Sequence, residues 1–502
     1  MTPYKSELDY SLLTFGDEGG SVDFTLRNAY ESILILGALG SGKSSSSARL
    51  ISIKMLKAGF GGLILTAKDE VDTWKEYCKE TGRLDDLLIV SPGGNHNFDF
   101  LKYLSSHNNA GTKHTSNILQ VLKTVIRQSD EKSGSLSSDP FWEKSLDLLL
   151  GHLLQLSALA FDEISVPKLY EILLTLPKTE DHQINQKDKK VSAFEEAFTK
   201  ARDKVLGEVD KWYDAQSLEK IAELKFSDTY ETTLLNAVPN ARTMKYLDLF
   251  FFETFKNLSS KTKSIIEFTC LEFFYSLLQE PFYSIFCKNE ITVKPEDCLD
   301  GKIILLNIPV KHYHKVGRDC QVLFKYIFQL EMEKRNVKQN DRPIFLISDE
   351  CQFFLHEHDA VFQSTARSVC ISSIYITQNL SNLYAVMGGN KPEDRVKALL
   401  GVFGTKIYHA NTHIETNQWA SALIGDALFL DPARSITTAK EFSQNDSVSL
   451  KLERRVRPEE FVGLTTGGSR NNYRCEAYIH VQGDKLFNNE NFKKVKFNQN
   501  HN

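Results

Sequence analysis

The stretch ILILGALGSGKSSSS at 33–47 constrains the fold more than any other part of the chain. Four aliphatic residues read as a buried strand, followed by a glycine-rich turn, a lysine and four serines that suit the first turn of a helix. Gly37-Ala38-Leu39-Gly40-Ser41-Gly42-Lys43-Ser44 fits the pattern G-x-x-x-x-G-K-[ST]. Glycines are needed there because the backbone must curl until successive N–H groups point inward at phosphate oxygens. The following helix adds its N-terminal dipole to the same place. Lys43 is expected to reach the β- and γ-phosphates, Ser44 to ligate Mg2+ and Ser45 to help hold phosphate. The pattern therefore predicts a nucleotide site between a strand and a helix of an α/β sheet.

The rest of the chain divides accordingly. SILIL (32–36), GLILT (62–66) and LLIVS (87–91) are short aliphatic runs with turn-like or polar segments after them, as a parallel sheet buried on both faces requires. From about 105 to 300 strand signals are absent and helical periodicity takes over, as in SNILQVLKTVIRQ (116–128) and FWEKSLDLLLGHLLQLSALAF (141–161). Within it, PKTEDHQINQKDKK (177–190) has no apolar face and reads as a solvated loop. Strand signals resume with KIILLNI (302–308), IFLIS (344–348), SSIYIT (372–377) and TKIYH (405–409). The expected architecture is one motor domain, formed by 1–104 and 301–502, interrupted by an all-α domain at 105–300.

A phosphate-binding loop needs a carboxylate site at the end of another strand, and IFLISDE supplies one. Asp349 is expected to hold Mg2+ through its water shell, and Glu350 to polarise the attacking water as general base. An acid at 350 favours hydrolysis over transfer to another substrate. Gln378, after the strand at 372–377, could reach the γ-phosphate from next door. Arg367, just before that strand, is either a surface arginine or one lent to a neighbouring subunit's nucleotide. His312 and His314, and likewise His356 and His358, sit two apart, which faces metal ligands badly, and read as solvated turns. LFFFETF (249–255) reads as helix core rather than a base-stacking platform.

Composition excludes several classes. Over 502 residues, 41% hydrophobic and 25% charged content rules out wholesale disorder. A net charge of −5 gives no global basic signature, so any nucleic-acid contact must use local positive charge, for example along a channel. The 8 cysteines are scattered without a C-x-x-C pair, which fits a reducing cytoplasm. The first 20 residues lack a basic-then-apolar leader pattern, and no window has the uninterrupted apolar length of a spanning helix. The nearest, SIIEFTCLEFFYSLL (264–278), contains Glu267 and Glu272 and reads as a buried or amphipathic helix.

Taken together, ILGALGSGKSS, DLLIVSPGG…NFDFL (86–101), DPFWEKSLDLLL (139–150), KIILLNIPVKHYHKVGR (302–318), ISDECQFF (347–354), ARSVCISSIYITQNLSNLY (366–384), GTKIYHANTHIETNQWASALIG (404–425) and RVRPEEFVGLTTGG (455–468) resemble the type IV secretion coupling proteins. These TraD/TraG-type conjugative ATPases belong to the FtsK/HerA group of ring translocases. The resemblance implies a RecA-like motor interrupted by an all-helical domain. It implies Walker A roles for Lys43 and Ser44, Walker B roles for Asp349 and Glu350, a sensor role for Gln378 and a trans-acting role for Arg367. The frequent DEF or DEA of the family is DEC here, with Cys351.

The implied function is that of a cytoplasmic, ATP- and Mg2+-dependent ring, expected to be a hexamer, which moves DNA or a DNA–protein complex through its pore. A relaxase, secretion-channel components and a partner tethering it at the inner membrane are the implied associates. Two other functions fit the same residues: a HerA-like motor in DNA processing or phage defence, and an ATP-gated receptor for secreted protein cargo.

Overall fold

The computed structural model describes residues 3–17, 20–106, 115–133, 140–161, 163–177, 191–217, 229–387, 391–438, 442–483, 487 and 490–499. The polar loop read at 177–190 lies outside these residues, Pro177 excepted. The chain divides into two compact units, one of residues 1–88, 296–306 and 329–502, the other of residues 89–295 and 307–328.

The first unit is built on the aliphatic runs. β3 (Ile33–Leu36), β4 (Gly61–Leu65), β5 (Leu87–Val90), β6 (Ile303–Leu306), β7 (Ile344–Ser348), β8 (Ile371–Thr377) and β9 (Thr405–His409) join β12 (Arg474–Val481) and β13 (Phe492–Asn498) in one sheet. Its order is β13-β12-β9-β3-β8-β7-β4-β6-β5. The paired strands from β9 to β6 run parallel, whereas β12 and β13 add an antiparallel edge. Every residue of β3, β4, β6, β7, β8 and β9 is buried, because helices cover both faces of a parallel sheet and leave no polar side. Gly61 and Gly62 permit the close approach at the centre. A Cβ on Gly61 would stand 1.9 Å from the Cys298 carbonyl oxygen, and one on Gly62 would stand 2.3 Å from the Phe345 ring.

Two features lie beyond what periodicity revealed. β1 (Ser11–Asp17) and β2 (Gly20–Thr25) form a small antiparallel hairpin, and β10 (Asp426–Thr438) pairs with β11 (Phe442–Arg454) along 13 residues in each strand. Neither hairpin joins the main sheet.

The second unit is helical. Its long helices cover 115–133, 140–160, 193–214 and 260–278. The 140–160 helix buries Leu149, Leu150, Leu153, Leu154 and Leu156, an apolar surface wide enough for neighbours on several sides. Ser192 starts the 193–214 helix with a capping box, accepting from the Glu195 N–H while Glu195 accepts from the Ser192 N–H. LFFFETF is a π-helical turn that buries Phe250, Phe251 and Phe255, so its rings are chiefly core. The 264–278 stretch falls in a helix with a buried stripe of Ile266, Cys270, Phe273, Phe274 and Leu277. No helix among the described residues is long and apolar enough to cross a membrane.

Candidate nucleotide site

Sheet order decides which residues meet. β3 lies beside β8, β8 beside β7 and β7 beside β4, with Leu36 opposite Thr377, Ser348 opposite Tyr375 and Leu65 opposite Ser348. The loops leaving the C-terminal ends of these strands therefore emerge side by side. They carry 37–45, Gln378, Asp349-Glu350 and a fourth segment, Thr66–Glu70.

The 37–45 loop has the shape its glycines predict. Gly40 and Gly42 take φ values of +75° and +91°, a region that only glycine enters without strain. A Cβ on Gly37 would stand 2.5 Å from Ser41 Oγ and 2.7 Å from His409 Cβ. The Ala38 N–H donates to the Ala410 carbonyl (2.9 Å), tying the loop to the end of β9. Leu39 is exposed at the tip and Lys43 is buried. Ser41 Oγ is buried without a hydrogen-bond partner among the described residues, as is Ser348 Oγ at the end of β7. A buried ammonium and an orphaned hydroxyl inside a loop too tight for side chains fit a bound phosphate chain.

The four serines divide the work. Ser44 is half-buried and Ser45 exposed, whereas Ser46 and Ser47 are buried. Ser46 Oγ donates to the Gly42 carbonyl (2.7 Å) and lies 3.1 Å from Cys475 Sγ. Ser47 Oγ pairs with His409 Nε2 at 2.7 Å. Burial pushes the His409 imidazole down to about 3, and the Lys43 charge adds to the effect, so this histidine is neutral at pH 7. Gln499 donates from Nε2 to Ser45 Oγ (2.6 Å). These bonds tie Ser45, Ser46 and Ser47 into the first helical turn, and Ser44 stands half-buried at its start.

Asp349 is buried near Lys68, and Glu350 is half-buried. Asp349 is raised above the usual carboxylate range by burial and by Glu350, against the pull of Lys68 and Lys43. Its Oδ2 stands 3.9 Å from Lys68 Nζ, and Oδ1 accepts from the Glu350 N–H (3.1 Å). Glu350 occupies left-handed backbone, φ +49°, uncommon for a side chain of this size. Its Oε2 accepts from Gln352 Nε2 (2.8 Å) and its Oε1 from Gln378 Nε2 (3.2 Å). Thr377 fixes Gln352 in turn by donating to its Oε1 (2.9 Å), and Asn411 donates to the Gln378 carbonyl (2.9 Å). Gln378 thus touches the candidate base directly.

Lys68 and Glu70 were not singled out in the sequence. Lys68 Nζ lies 3.0 Å from Glu70 and bridges toward Asp349. Burial opposes the Lys68 charge, but Glu70, Asp349 and Glu350 together hold its pKa above the usual value. Burial also raises Glu70, with Asp349 adding to it. The available signal was position: AKDE follows the aliphatic run of β4, although its adjacency to β7 depends on sheet order.

Arg367 is placed elsewhere. It lies in a short turn before β8, at the opposite end of the strands from the 37–45 loop. Its guanidinium pairs with Glu31 at 3.0 Å and is 56% exposed. It borders an open cleft with Tyr30, Gln363 and Gly404. Of the histidine pairs, His312 and His314 are exposed as expected, but they lie in the helix Val310–Glu333 rather than in a turn. His356 is instead buried: its N–H donates to Asp359 Oδ2 (2.9 Å), an interior carboxylate that also accepts from Gln329 and Tyr375. The turn folds inward to complete that network. No group of three or more His, Cys, Asp or Glu side chains suited to a metal ion occurs among the described residues.

Residues 343–464 match a family described as the TraM recognition site of TraD and TraG. No curated protein sequence matches the chain. Among solved structures, the chain is similar to the bacterial conjugative coupling protein TrwBdeltaN70 in its unbound form, with a TM-score of 0.61 and 14% identity over 97% of this chain and 89% of that one. It is similar also to plasmid coupling protein TrwB in complex with ADP and Mg2+, with a TM-score of 0.57 and 13% identity over 95% and 88%. The complex of that protein with the ATP analogue ADPNP gives a TM-score of 0.51 and 15% identity over 95% and 87%. The chain therefore has the fold of the coupling protein TrwB along nearly its whole length, and its residues 343–464 match the TraM recognition site of TraD and TraG.

Proposed function

We propose that the chain is a ring-forming, Mg2+-dependent ATPase that moves DNA or a DNA–protein complex as a coupling protein of conjugation or type IV secretion. One observation supports this reading: the residues with candidate hydrolytic roles stand at both ends of one sheet. Lys43, Ser44, Asp349, Glu350 and Gln378 gather at the C-terminal ends of the strands, whereas Arg367 stands at the other. A subunit cannot bring that arginine to its own nucleotide, but a neighbour in a head-to-tail ring can supply one.

Glu350 would take the proton of the attacking water as the oxygen closes on the γ-phosphorus. Gln378, bonded to that carboxylate, would hold the same water in line. Lys43 would neutralise charge on the β- and γ-phosphate oxygens, and the arriving Arg367 would stabilise charge developing in transfer. Ser44 and Asp349 would hold Mg2+, which supplies further charge neutralisation when bound. The complexes of TrwB with ADP and Mg2+ and with ADPNP support these ligands for a similar fold.

A hexamer, a site at the cytoplasmic face of the inner membrane, and docking of a relaxosome component on residues 343–464 belong to the same proposal. The test is to mix Arg367→Ala with Lys43→Ala subunits and measure ATPase with and without DNA. Partial rescue in mixed assemblies and stimulation by DNA are expected. Absence of rescue removes the trans role of Arg367. Rescue without DNA stimulation favours an ATP-gated cargo receptor instead.

A further inference from the structure

The β10–β11 hairpin carries a surface that the active-site reading does not use. Register places Leu428 opposite Leu452, Leu430 opposite Leu450 and Pro432 opposite Val448. Directly opposed residues of an antiparallel pair point to the same face, so these six side chains make one continuous apolar ladder. The five aliphatic members are 63–71% exposed, and Pro432 is exposed as well. The other face carries Ala427, Glu453, Lys451, Asp431 and Ser449, with Phe429 as its large apolar member, and Lys451 paired to Glu453 at 2.6 Å. Over 427–432 and 448–453 the ribbon is therefore amphipathic, and its apolar side faces solvent.

An arrangement of this kind is incomplete by itself. A two-stranded ribbon is at best marginally stable in water unless one face is covered. A ladder of six apolar side chains at this exposure offers on the order of 500 Å2 of contiguous apolar area, the upper range for a monomer surface and over half of one side of a standard interface.

The base of the hairpin indicates what covers it. The Arg455 N–H donates to the Gly425 carbonyl (3.0 Å), and the Arg455 side chain reaches Glu490 at 3.7 Å. From there the Val481 N–H donates to the Asn491 carbonyl, the Gln482 N–H to the Gly404 carbonyl and the Gly404 N–H to the Glu31 carbonyl. Glu31 holds Arg367. The ribbon thus springs from the end of the sheet that presents Arg367, and its 13 residues per strand give it a reach of about 40 Å.

We propose that the apolar ladder of β10–β11 packs on a second copy of this chain, the same neighbour whose nucleotide receives Arg367. This rests on the ring reading above and gives the ring a hydrophobic clasp beside its catalytic contact. The contact is heterologous, so each subunit gives its ladder to one neighbour and receives one from the other.

The test is Leu430→Lys combined with Leu450→Lys, with Ser449→Lys on the opposite face as control. Mass is measured by sedimentation across protein concentrations with ATP and Mg2+, and single-subunit nucleotide binding reports folding. The ladder variant is expected to need at least about tenfold more protein to assemble while binding nucleotide normally; the control assembles as wild type. If nucleotide binding is also lost, Val448→Ser, a milder change on the same face, must still shift assembly in the same direction. Assembly of either ladder variant at wild-type concentrations overturns the proposal and leaves the ring intact. Loss of binding to anionic lipid vesicles with unchanged assembly also overturns it, by assigning the face to a membrane. A wild-type chain that stays monomeric with ATP and DNA overturns the ring reading and the clasp together.

Discussion

The two ends of the nine-stranded sheet are built on opposite principles. At the C-terminal end of the strands, Lys43 and Asp349 are buried and Glu70 is half-buried, with the half-exposed Lys68 within 3.0 Å of Glu70 and 3.9 Å of Asp349. At the other end, Arg367 is more than half exposed and, among the described residues, pairs with Glu31. A charge kept in low dielectric is costly to leave uncompensated, so a partner it has is not readily exchanged. An exposed pair is worth only about 0–1 kcal/mol and is easily exchanged. One end has the character of a ligand site; the other presents an arginine held by an exchangeable ion pair.

That contrast can be broken at several points. Lys43→Ala removes the buried cation and should abolish nucleotide binding, read by fluorescent nucleotide titration; unchanged affinity would dismiss the loop as the site. Glu350→Gln should keep binding while turnover falls about 10²–10⁴-fold, as expected for a general base. Single-turnover hydrolysis at the wild-type rate would show that another group activates water. Lys68→Met leaves Asp349 and Glu70 facing each other without their bridge. Nucleotide affinity should fall with Mg2+ present, by about tenfold, and a double substitution with Glu70→Gln should recover part of the loss. At the exposed end, Glu31→Gln frees Arg367, and assembled ATPase should rise by no more than about fivefold, the worth of one surface ion pair.

Acid sharpens the comparison from the interior side. His409 is depressed to about 3 and His480 to about 4, both chiefly by burial. Between those values and 6.5 the unfolded chain takes up protons that the folded chain refuses. Stability is therefore complete above pH 6.5 and falls with acid by up to about 1.4 kcal/mol per pH unit for each histidine. Denaturant melts at pH 7 and pH 5 measure this, and His409→Gln should flatten the dependence. Equal midpoints at the two pH values would mean that these imidazoles are accessible to protons when folded.

The parallel core was legible because buried strands must be aliphatic on both faces, and ILIL, IFLIS and TKIYH leave little alternative. The alternating strands escaped notice for the opposite reason. β10 and β11 mix exposed leucines with charges, so a period of two competes with loop-like composition. Glu350 and Gln378 could be proposed from their places after strands, and their 3.2 Å hydrogen bond follows once β7 and β8 are neighbours. Lys68 and Glu70 needed the adjacency of β4 and β7, which no local pattern encodes. His356 was misread because a polar turn reads as solvated unless its buried partner, Asp359, is known to face inward.

The backbone at position 350 has an evolutionary consequence. A left-handed conformation costs a residue with a side chain of order 1–3 kcal/mol, and glycine avoids most of it. Fold stability alone therefore favours drift from glutamate toward glycine at this site. A chain with no use for an acid at 350 would gain robustness from glycine there, so the left-handed backbone sets a standing cost against keeping glutamate at this position.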